Sequence, residues 1–250
     1  MMTKKKLVIM NFSGVYDLER FSSIPEAVHI DCTHLMGTDC YCDPAAEKEI
    51  RILIAGYPAE GVHFIDSGDY HYLTEFWTDK ITRPFDLFLF DHHSDMQAPL
   101  FEGLLSCGSW VKSMLEHNTF LRKVYLCGIA SSQVETIPQN LRDRVVVFTD
   151  QQLLHHVIEK QPLCLDEPVY ISVDKDVLNR DSAETNWDQG ILSLSDLKQV
   201  LRLLLLHEQV IGVDICGECA STIHCLASDP AILLDNEANA ELLSLLKRLI

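Results

Sequence analysis

The amino-acid sequence predicts an α/β fold with three layers, in which helices cover both faces of a mainly parallel sheet. Short apolar segments rich in β-branched and aromatic residues recur along the chain, and Phe85–Asp91 and Val169–Val173 are two examples. Their apolar character is nearly continuous rather than alternating, which is typical of strands that are covered on both faces. Segments with helical character lie between them, and this alternation favours a parallel sheet.

The predicted strands begin near the amino terminus and continue to residue 215. They are Lys6–Phe12, Val62–Asp66, Phe85–Asp91, Val124–Ile129, Val145–Thr149, Val169–Val173 and Val210–Ile215. The predicted helices are Pro44–Ala55, Cys107–His117, Gln151–Lys160, Leu194–His207 and Asp235–Leu249. Ser193 or Ser195 is a suitable N-cap residue for the fourth helix. Because no Gly/Ser-rich linker, low-complexity segment or internal repeat divides the sequence, we expect a single domain over residues 1–250.

The composition excludes several classes of partner. The chain has 250 residues, with 20 Lys+Arg against 37 Asp+Glu, and its formal net charge is −17. This acidic balance argues against nucleic acid and anionic membrane surfaces and is compatible with a cationic small substrate. The apolar stretch Val200–His207 is far too short to span a membrane, and Leu7–Asn11 is too short for a signal peptide. We therefore expect a cytoplasmic protein whose nine cysteines are reduced.

Metal-ligating side chains occur where predicted strands end. Asp91, His93 and Asp95 are spaced by two residues, so that they project from the same face in extended geometry. Asp174 and Asp176 repeat this spacing after a later strand. Because sites in parallel sheets form beyond the carboxyl ends of the strands, we expect these side chains to converge.

The chemistry of these side chains predicts a metal centre. Carboxylates that are packed closely stay ionised only when a cation compensates their charge. Oxygen ligands combined with imidazole suit Mn²⁺, Mg²⁺, Fe²⁺ or Zn²⁺. The candidate ligands exceed one tetrahedral shell, which indicates two metals bridged by carboxylates and a water whose pKa is lowered enough to give hydroxide near neutral pH.

Three motifs in this region resemble those of the arginase family of ureohydrolases, which includes arginases, agmatinases and formimidoylglutamases. Asp91-His92-His93-Ser94-Asp95 matches the family's Asp-x-His-x-Asp motif, and Ser172-Val173-Asp174-Lys175-Asp176 matches its Ser-x-Asp-x-Asp motif. Upstream, Gly68-Asp69-Tyr70-His71 is similar to the family's Gly-Asp-His element with one residue inserted. The resemblance extends from about His63 to Glu218 and implies an arginase-like fold.

The resemblance also implies a binuclear manganese centre, with two Mn²⁺ ions per chain. One ion would be bound by His71, Asp91, Asp95 and Asp174, and the other by Asp91, His93, Asp174 and Asp176. Asp91 and Asp174 would bridge the two ions. The hydroxide bound to the two ions would attack a guanidinium or amidine carbon, and the intermediate would expel an amine. The resemblance implies a ureohydrolase in which Asp95 and Glu218 are the candidate catalytic residues, with Glu218 as the anchor of the cationic group.

Two departures from the family pattern bear on the substrate. The family's Asp-x-x-Glu element reads Asp214-Ile215-Cys216-Gly217-Glu218 here, so that Glu218 stands one residue later, and a local bulge would be needed to restore its aim. The Gly-Asn-x-His segment of true arginases, which supplies a proton-shuttle His, is replaced by Ser106-Cys107-Gly108-Ser109-Trp110. We therefore expect arginine within a peptide, as in the peptide arginases, or a decarboxylated analogue to be at least as good a substrate as free L-arginine.

Two other functions remain open. A deacetylase-like amidohydrolase shares the fold but uses one zinc, held by an Asp-x-His element and a distant Asp. Asp95 and Asp176 are surplus to that single-metal scheme, which argues against it. A non-catalytic metal-binding protein could retain all of these residues. A homo-oligomer is compatible with the sequence in every case.

Several neighbouring residues have a functional and a structural interpretation. His92 points away from its neighbours in an extended strand, so we expect it to pack or to support the ligands rather than to bind metal. Trp187 is either a residue of the substrate cleft or part of a plain loop. Cys216 and Cys219 have the spacing of a thiol metal site, but Cys216 lies in a strand pattern in which a buried cysteine acts as a small hydrophobe.

Overall fold

The architecture is described for residues 6–99, 101, 103–154, 165–220 and 226–249 of a computed structural model. The strands are β1 (Lys6–Asn11), β2 (Val28–Asp31), β3 (Tyr41–Cys42), β4 (Gly61–Phe64), β5 (Phe85–Phe90), β6 (Leu105–Ser106), β7 (Leu121–Ile129), β8 (Val145–Thr149), β9 (Val169–Asp174) and β10 (Val210–Cys216). The helices are α1 (Pro44–Ile54), α2 (Leu73–Thr78), α3 (Trp110–His117), α4 (Asp150–Leu154), α5 (Leu194–His207) and α6 (Pro230–Leu246).

A parallel sheet of eight strands forms the middle layer, in the order β2-β1-β4-β10-β9-β5-β7-β8. Successive side chains of a central strand enter different apolar clusters; in β1, for example, Val8 belongs to one cluster and Ile9 to the other. Helices α1, α2 and α3 pack on the first cluster, whereas α5 and α6 pack on the second. This arrangement confirms the predicted three-layer α/β/α fold.

The strand predictions are confirmed for the long buried segments, and the short elements were missed. Every predicted strand is present, with its ends within three residues of the predicted ones. Strand β2 lies at the edge of the sheet and exposes His29 and Asp31, so it lacks the continuous apolar pattern. The antiparallel pair β3 and β6 has two residues in each strand, and α2 has six residues. Such elements are too short to produce a periodic signal.

The helix boundaries follow capping residues. Ser193 caps α5, because its hydroxyl accepts from the Asp196 backbone N–H while the Asp196 carboxylate accepts from the Ser193 backbone. Helix α6 begins at Pro230, five residues before the predicted start at Asp235, since proline suits the first position of a helix. The predicted helix Gln151–Lys160 is represented by α4, and residues 155–160 lie outside the described residues. Among the described helices, none has both the length and the apolar character needed to cross a lipid bilayer.

The register of the central strands brings the functional segments to one edge of the sheet. Phe90 at the end of β5 pairs with Val173 of β9, and Asp174 pairs with Cys216 of β10. Ile215 in turn pairs with Phe64, the last residue of β4. The chain segments that follow these adjacent strands therefore start at nearly the same level, beyond the carboxyl ends of the sheet.

Candidate metal centre

The six predicted metal ligands lie together at this edge and line one cavity of about 370 Å³. We call this set the ligand cluster; it consists of His71, Asp91, His93, Asp95, Asp174 and Asp176. Five of its side chains are buried, and that of His93 is 20% exposed. The convergence that the sequence predicted is thus present in the structure.

One half of the ligand cluster is organised around His71. Its Nδ1 lies 3.2 Å from Asp91 Oδ2, 3.2 Å from Asp95 Oδ2 and 3.4 Å from Asp174 Oδ2. A single ring nitrogen therefore faces three carboxylate oxygens. The ligand atoms of His71, Asp91 and Asp95 lie within 4.8 Å of one another, a spacing that allows one cation to contact all three.

The other half of the ligand cluster is organised around His93. Its Nδ1 lies 2.8 Å from Asp176 Oδ2 and 3.5 Å from Asp91 Oδ1. Asp91 consequently turns Oδ2 towards His71 and Oδ1 towards His93. The two halves share this carboxylate, whose two oxygens could therefore contact two different cations.

Local backbone structure aims these side chains at the cavity. A 3-10 helix, Gly68–Tyr70, begins after Ser67, whose hydroxyl accepts from the Asp69 backbone N–H, and it leads directly to His71. A Cβ atom at Gly68 would lie 2.8 Å from Asp174 Oδ2, so this close approach requires glycine. Tyr70 is the extra residue relative to the family's Gly-Asp-His element, and this 3-10 turn accommodates it.

Hydrogen bonds from residues outside the ligand cluster orient two of its side chains. Trp110 Nε1 donates to Asp95 Oδ2 at 2.6 Å, and His71 Nε2 lies 2.9 Å from Ser172 Oγ. Ser172 Oγ also lies 3.0 Å from Thr74 Oγ1. Partners of this kind commonly set the orientation of metal ligands. Sequence reasoning missed Trp110 in this role, because its only signal was a position after the first Asp-rich motif.

The electrostatics of the ligand cluster fit a bound cation. Burial, together with the charge of Asp91, raises the pKa of Asp95 to about 7. Burial and the charges of Asp174 and Asp91 likewise raise the pKa of Asp176 above its usual range. For His93, burial alone would lower the pKa, but hydrogen bonds to Asp176 and Asp91 raise it to about 12. Without a metal, the carboxylates hold protons or rely on imidazolium, and divalent cations would replace both.

Glu218 is the predicted site residue that the structure does not bring to the cavity. Its side chain is fully buried, with Oε2 2.7 Å from Lys175 Nζ and Oε1 accepting from Asn239 Nδ2 at 2.9 Å. Lys175 Nζ also lies 3.2 Å from Asp235 Oδ1 in α6. Glu218 therefore forms an ion pair with Lys175 instead of facing a substrate, because a buried ammonium requires carboxylate partners. We call Lys175, Glu218, Asp235, Asn239 and Glu19 the lysine cluster.

The conformation of Gly217 accounts for the direction of Glu218, whose side chain faces away from the cavity. Its φ is +94°, in the left-handed region, and a Cβ atom at this position would lie 2.5 Å from Asp174 Oδ1 and 2.6 Å from Lys175 N. The chain after β10 therefore passes directly against Asp174 with no room for a side chain. Glu218 follows this turn and enters the lysine cluster.

The structure also shows the positions of Trp187, His92 and Cys216, for which the sequence allowed both a functional and a structural interpretation. Trp187 lines the cavity, and its Nε1 donates to Asp69 Oδ1 at 3.0 Å. His92 is absent from the described lining, and its backbone N–H supports Asp176 by donating to Oδ1 at 2.9 Å. Cys216 is buried as expected, but its Sγ lies 3.2 Å from Asp174 Oδ2, so it contacts the ligand cluster as well as the core.

Comparison with known proteins identifies the fold and the family. The Arginase family model matches residues 61–221. An uncharacterized protein from Thermotoga maritima is 33% identical over 211 residues, which cover 84% of this chain and 78% of that protein.

Two solved structures share the fold at low sequence identity. Formimidoylglutamase from Bacillus subtilis has a TM-score of 0.70 at 15% identity, with 98% of this chain and 87% of that chain covered. Proclavaminate amidino hydrolase from Streptomyces clavuligerus has a TM-score of 0.68 at 15% identity, with 99% and 94% covered. The matched residues 61–221 contain the whole ligand cluster, and the chain belongs to the arginase family.

Proposed function

We propose that the protein is a binuclear manganese hydrolase that cleaves a guanidino or amidino C–N bond and releases urea from guanidino substrates. The observation that carries this proposal is the position of Asp91, whose two oxygens face His71 and His93. Two adjacent ligand sets in one cavity favour two ions. Membership in the arginase family, in which metal-dependent hydrolysis of amidino and guanidino compounds is common, supports the reaction class.

The proposed ligand sets follow the two halves of the cluster. His71 and Asp95 would belong to one set and His93 and Asp176 to the other, and Asp91 and Asp174 would be the residues shared by both. Carboxylate and imidazole ligands suit manganese, and a pair of such ions supplies a water of lowered pKa and a Lewis acid.

The remaining roles belong to side chains of the cavity. Trp110 and Ser172 hold Asp95 and His71 in place, so that little reorganisation is needed during the reaction. We propose that Asp95 also accepts the proton that the attacking water loses, at Oδ1, because Oδ2 already accepts from Trp110. The acidic cavity attracts the cationic guanidinium, a role that the buried Glu218 would not need to fill.

The cavity lining favours a substrate without a free α-carboxylate. Its described residues include Tyr41, Pro99 and Trp187 besides the ligand cluster, and none of them is lysine or arginine. A free amino acid would therefore meet no cationic side chain in this part of the lining. An alkyl or peptide chain would instead pack against the aromatic and apolar wall. We accordingly propose arginine within a peptide, or a decarboxylated guanidine such as agmatine, as the substrate.

The test is hydrolysis by the manganese-loaded protein. Urea release is measured with free L-arginine, agmatine, guanidino acids and a peptide with an internal arginine, and formamide release is measured with formimidoylglutamate. We expect urea from agmatine or the peptide at a rate at least equal to that from free L-arginine, and two manganese ions per chain. The variant His93→Ala lacks one proposed ligand and should lose metal and activity together.

Three outcomes would contradict parts of the proposal. Much faster turnover of free L-arginine than of all the other substrates would contradict the proposed specificity. Inactivity on every guanidine and amidine, together with deacetylation of an acetyl-lysine or acetyl-polyamine substrate by a zinc-loaded form, would favour the deacetylase-like alternative. Metal binding without activity on any substrate would favour a non-catalytic member. We also propose a cytoplasmic location, which accords with the expectation that the nine cysteines are reduced.

A further inference from the structure

One buried thiol contacts the ligand cluster, although the proposed hydrolysis gives it no role. Cys216 is the last residue of β10, and its side chain is fully buried. Its Sγ lies 3.2 Å from Asp174 Oδ2. A cysteine that only filled space in the core would not need this carboxylate as a neighbour.

The register of the sheet fixes the thiol beside the carboxylate. Cys216 pairs with Asp174 in the parallel ladder between β10 and β9, and paired residues of neighbouring strands project their side chains from the same face. The chain then turns at Gly217, whose φ of +94° and lack of a side chain allow it to pass against Asp174. Regular backbone structure therefore holds the thiol at this position.

His71 completes a triangle of ligand atoms with this pair. Its Nδ1 lies 3.4 Å from Asp174 Oδ2, and ligand atoms of His71, Asp174 and Cys216 all lie within 4.8 Å of one another. Metal–ligand distances of about 2.0–2.3 Å place neighbouring ligand atoms of one ion roughly 3–4 Å apart. The contacts of 3.2 and 3.4 Å have this spacing, so that one ion could contact the thiol as well as the carboxylate and the imidazole.

The two halves of the ligand cluster consequently differ in the ligand atoms that they offer. The group of Asp91, His93 and Asp176 offers nitrogen and oxygen atoms, whereas the group of His71 and Asp174 has a sulfur atom within reach. Thiolate ligands select softer ions such as Zn²⁺, and carboxylate ligands suit Mn²⁺. The presence of sulfur on one side alone therefore predicts different metal preferences for the two halves.

We propose that Cys216 is a thiolate ligand of the ion that His71 and Asp174 hold, and that it makes this half of the centre selective for zinc over manganese. Binding forms one metal–sulfur bond, and the thiol proton passes to solvent or buffer. When manganese alone is supplied, both halves take manganese. When zinc is also present, the His71 half takes zinc and the His93 half keeps manganese. This inference rests on the proposed function, because it concerns one of its two ions.

Cobalt substitution reports on the thiol without reference to activity. The full-length, reduced, manganese-loaded protein is titrated with Co²⁺, which gives a near-ultraviolet charge-transfer band only when thiolate is bound. We expect the band to saturate at one Co²⁺ per chain and to disappear when one equivalent of Zn²⁺ is added. Cys216→Ser keeps a hydroxyl beside Asp174 but should lack the band and bind Co²⁺ in this half more than about 10-fold more weakly.

Three control variants and a second measurement keep the test decisive. Cys40→Ser and Cys107→Ser remove thiols that line the cavity, and Cys127→Ser removes a core thiol; all three should retain the band. Circular dichroism and thermal unfolding establish that each variant is folded. If Cys216→Ser is not folded, X-ray absorption at the cobalt edge of the wild-type protein gives an independent answer, with one sulfur neighbour expected at about 2.3 Å.

Metal content and urea release on the same preparations separate this inference from the proposed function. Two bound Co²⁺ ions per chain with neither a band nor a sulfur neighbour would overturn the thiolate ligand alone, as would a band that persists in Cys216→Ser. Failure to bind any divalent ion would overturn both. A band that depends on Cys216, in a protein that hydrolyses no guanidine or amidine, would support the thiolate ligand and contradict the proposed function.

Discussion

Consecutive residues at the end of β9 and directly after it enter two buried charged clusters of different composition. Asp174 and Asp176 belong to the ligand cluster, whereas Lys175, between them, belongs to the lysine cluster. The lysine cluster contains its own cation, since Lys175 contacts both Glu218 and Asp235. The ligand cluster has four carboxylates and no lysine or arginine among its members. The chain supplies one set of buried acids with a cationic side chain, and we propose that bound ions compensate the other set.

The largest effect that we expect comes from removing the shared charge of the ligand cluster. Asp174→Asn should lose metal from both proposed sites and reduce turnover by more than about 100-fold, because the loss of a bridging ligand exceeds the effect of a supporting residue. His93→Ala should empty mainly one site. Metal content and turnover of purified variants measure this. A full metal complement with normal turnover in either variant would refute the ligand assignment.

In the lysine cluster, removal of the internal cation should chiefly affect stability. Lys175→Met leaves Glu218 and Asp235 buried without a cation, so the free energy of unfolding should fall by about 3–5 kcal/mol. Denaturant unfolding at neutral pH measures this change. The control is Lys198→Met, which breaks a partly exposed ion pair with Glu241 and should cost at most about 1 kcal/mol. Equal losses in the two variants would remove the distinction between the clusters.

A variant of Glu218 tests whether this residue stabilises the lysine cluster or binds the substrate. Glu218→Gln should lower the free energy of unfolding by about 1–3 kcal/mol, because a charged hydrogen bond to buried Lys175 becomes a neutral one. KM for a guanidino substrate should change by less than about threefold, since the side chain does not line the cavity. Denaturant unfolding and steady-state kinetics on the same preparation separate the two roles. A large rise in KM at unchanged stability would return Glu218 to the role of substrate anchor.

The smallest effect concerns Glu75, a carboxylate outside both clusters. Its Oε1 accepts from Ser113 Oγ at 2.9 Å, and Oε2 has no partner among the described residues. Burial raises the pKa of Glu75 from 4.5 to about 8. The folded state therefore keeps a proton that the unfolded state releases between pH 4.5 and 8, and this group makes stability fall as pH rises through that window.

Glu75→Gln should remove this pH-dependent loss. Relative to the wild-type protein, the variant should be similar at pH 4 and more stable by about 1–2 kcal/mol at pH 8.5. Thermal unfolding over this range measures the difference. An equal difference at both pH values would indicate that packing, rather than ionisation, is responsible.

The convergence of the ligand cluster could be predicted because its signal in the sequence is local. Asp91, His93 and Asp95 follow one buried strand at a spacing of two, and parallel register then brings Asp174 and Asp176 beside them. The upstream His71 lies in the same cavity despite the extra residue, since a 3-10 turn absorbs that residue.

The position of Glu218 could not be predicted in the same way. A shift of one residue at the end of a strand changes which side its side chain faces. Its partner Asn239 comes from α6, far along the chain, and no local pattern indicates this contact. Trp110 was missed for a similar reason, since its bond to Asp95 depends on how α3 packs against the loop.

The close approach of Gly217 to Asp174 limits how this protein could be redesigned. Restoring the family's Asp-x-x-Glu spacing by Gly217→Glu would force a Cβ atom to within 2.5 Å of Asp174 Oδ1 and impose a left-handed φ on a glutamate. Such a variant would displace a proposed bridging ligand before it could offer a new carboxylate to any substrate. Transplanting the arginase anchor would therefore require rebuilding the whole segment after β10 together with the lysine cluster that it joins. In the proposed function, substrate preference would thus depend on these internal ion pairs, and changes of specificity would be more accessible through the Tyr41 and Trp187 walls of the cavity.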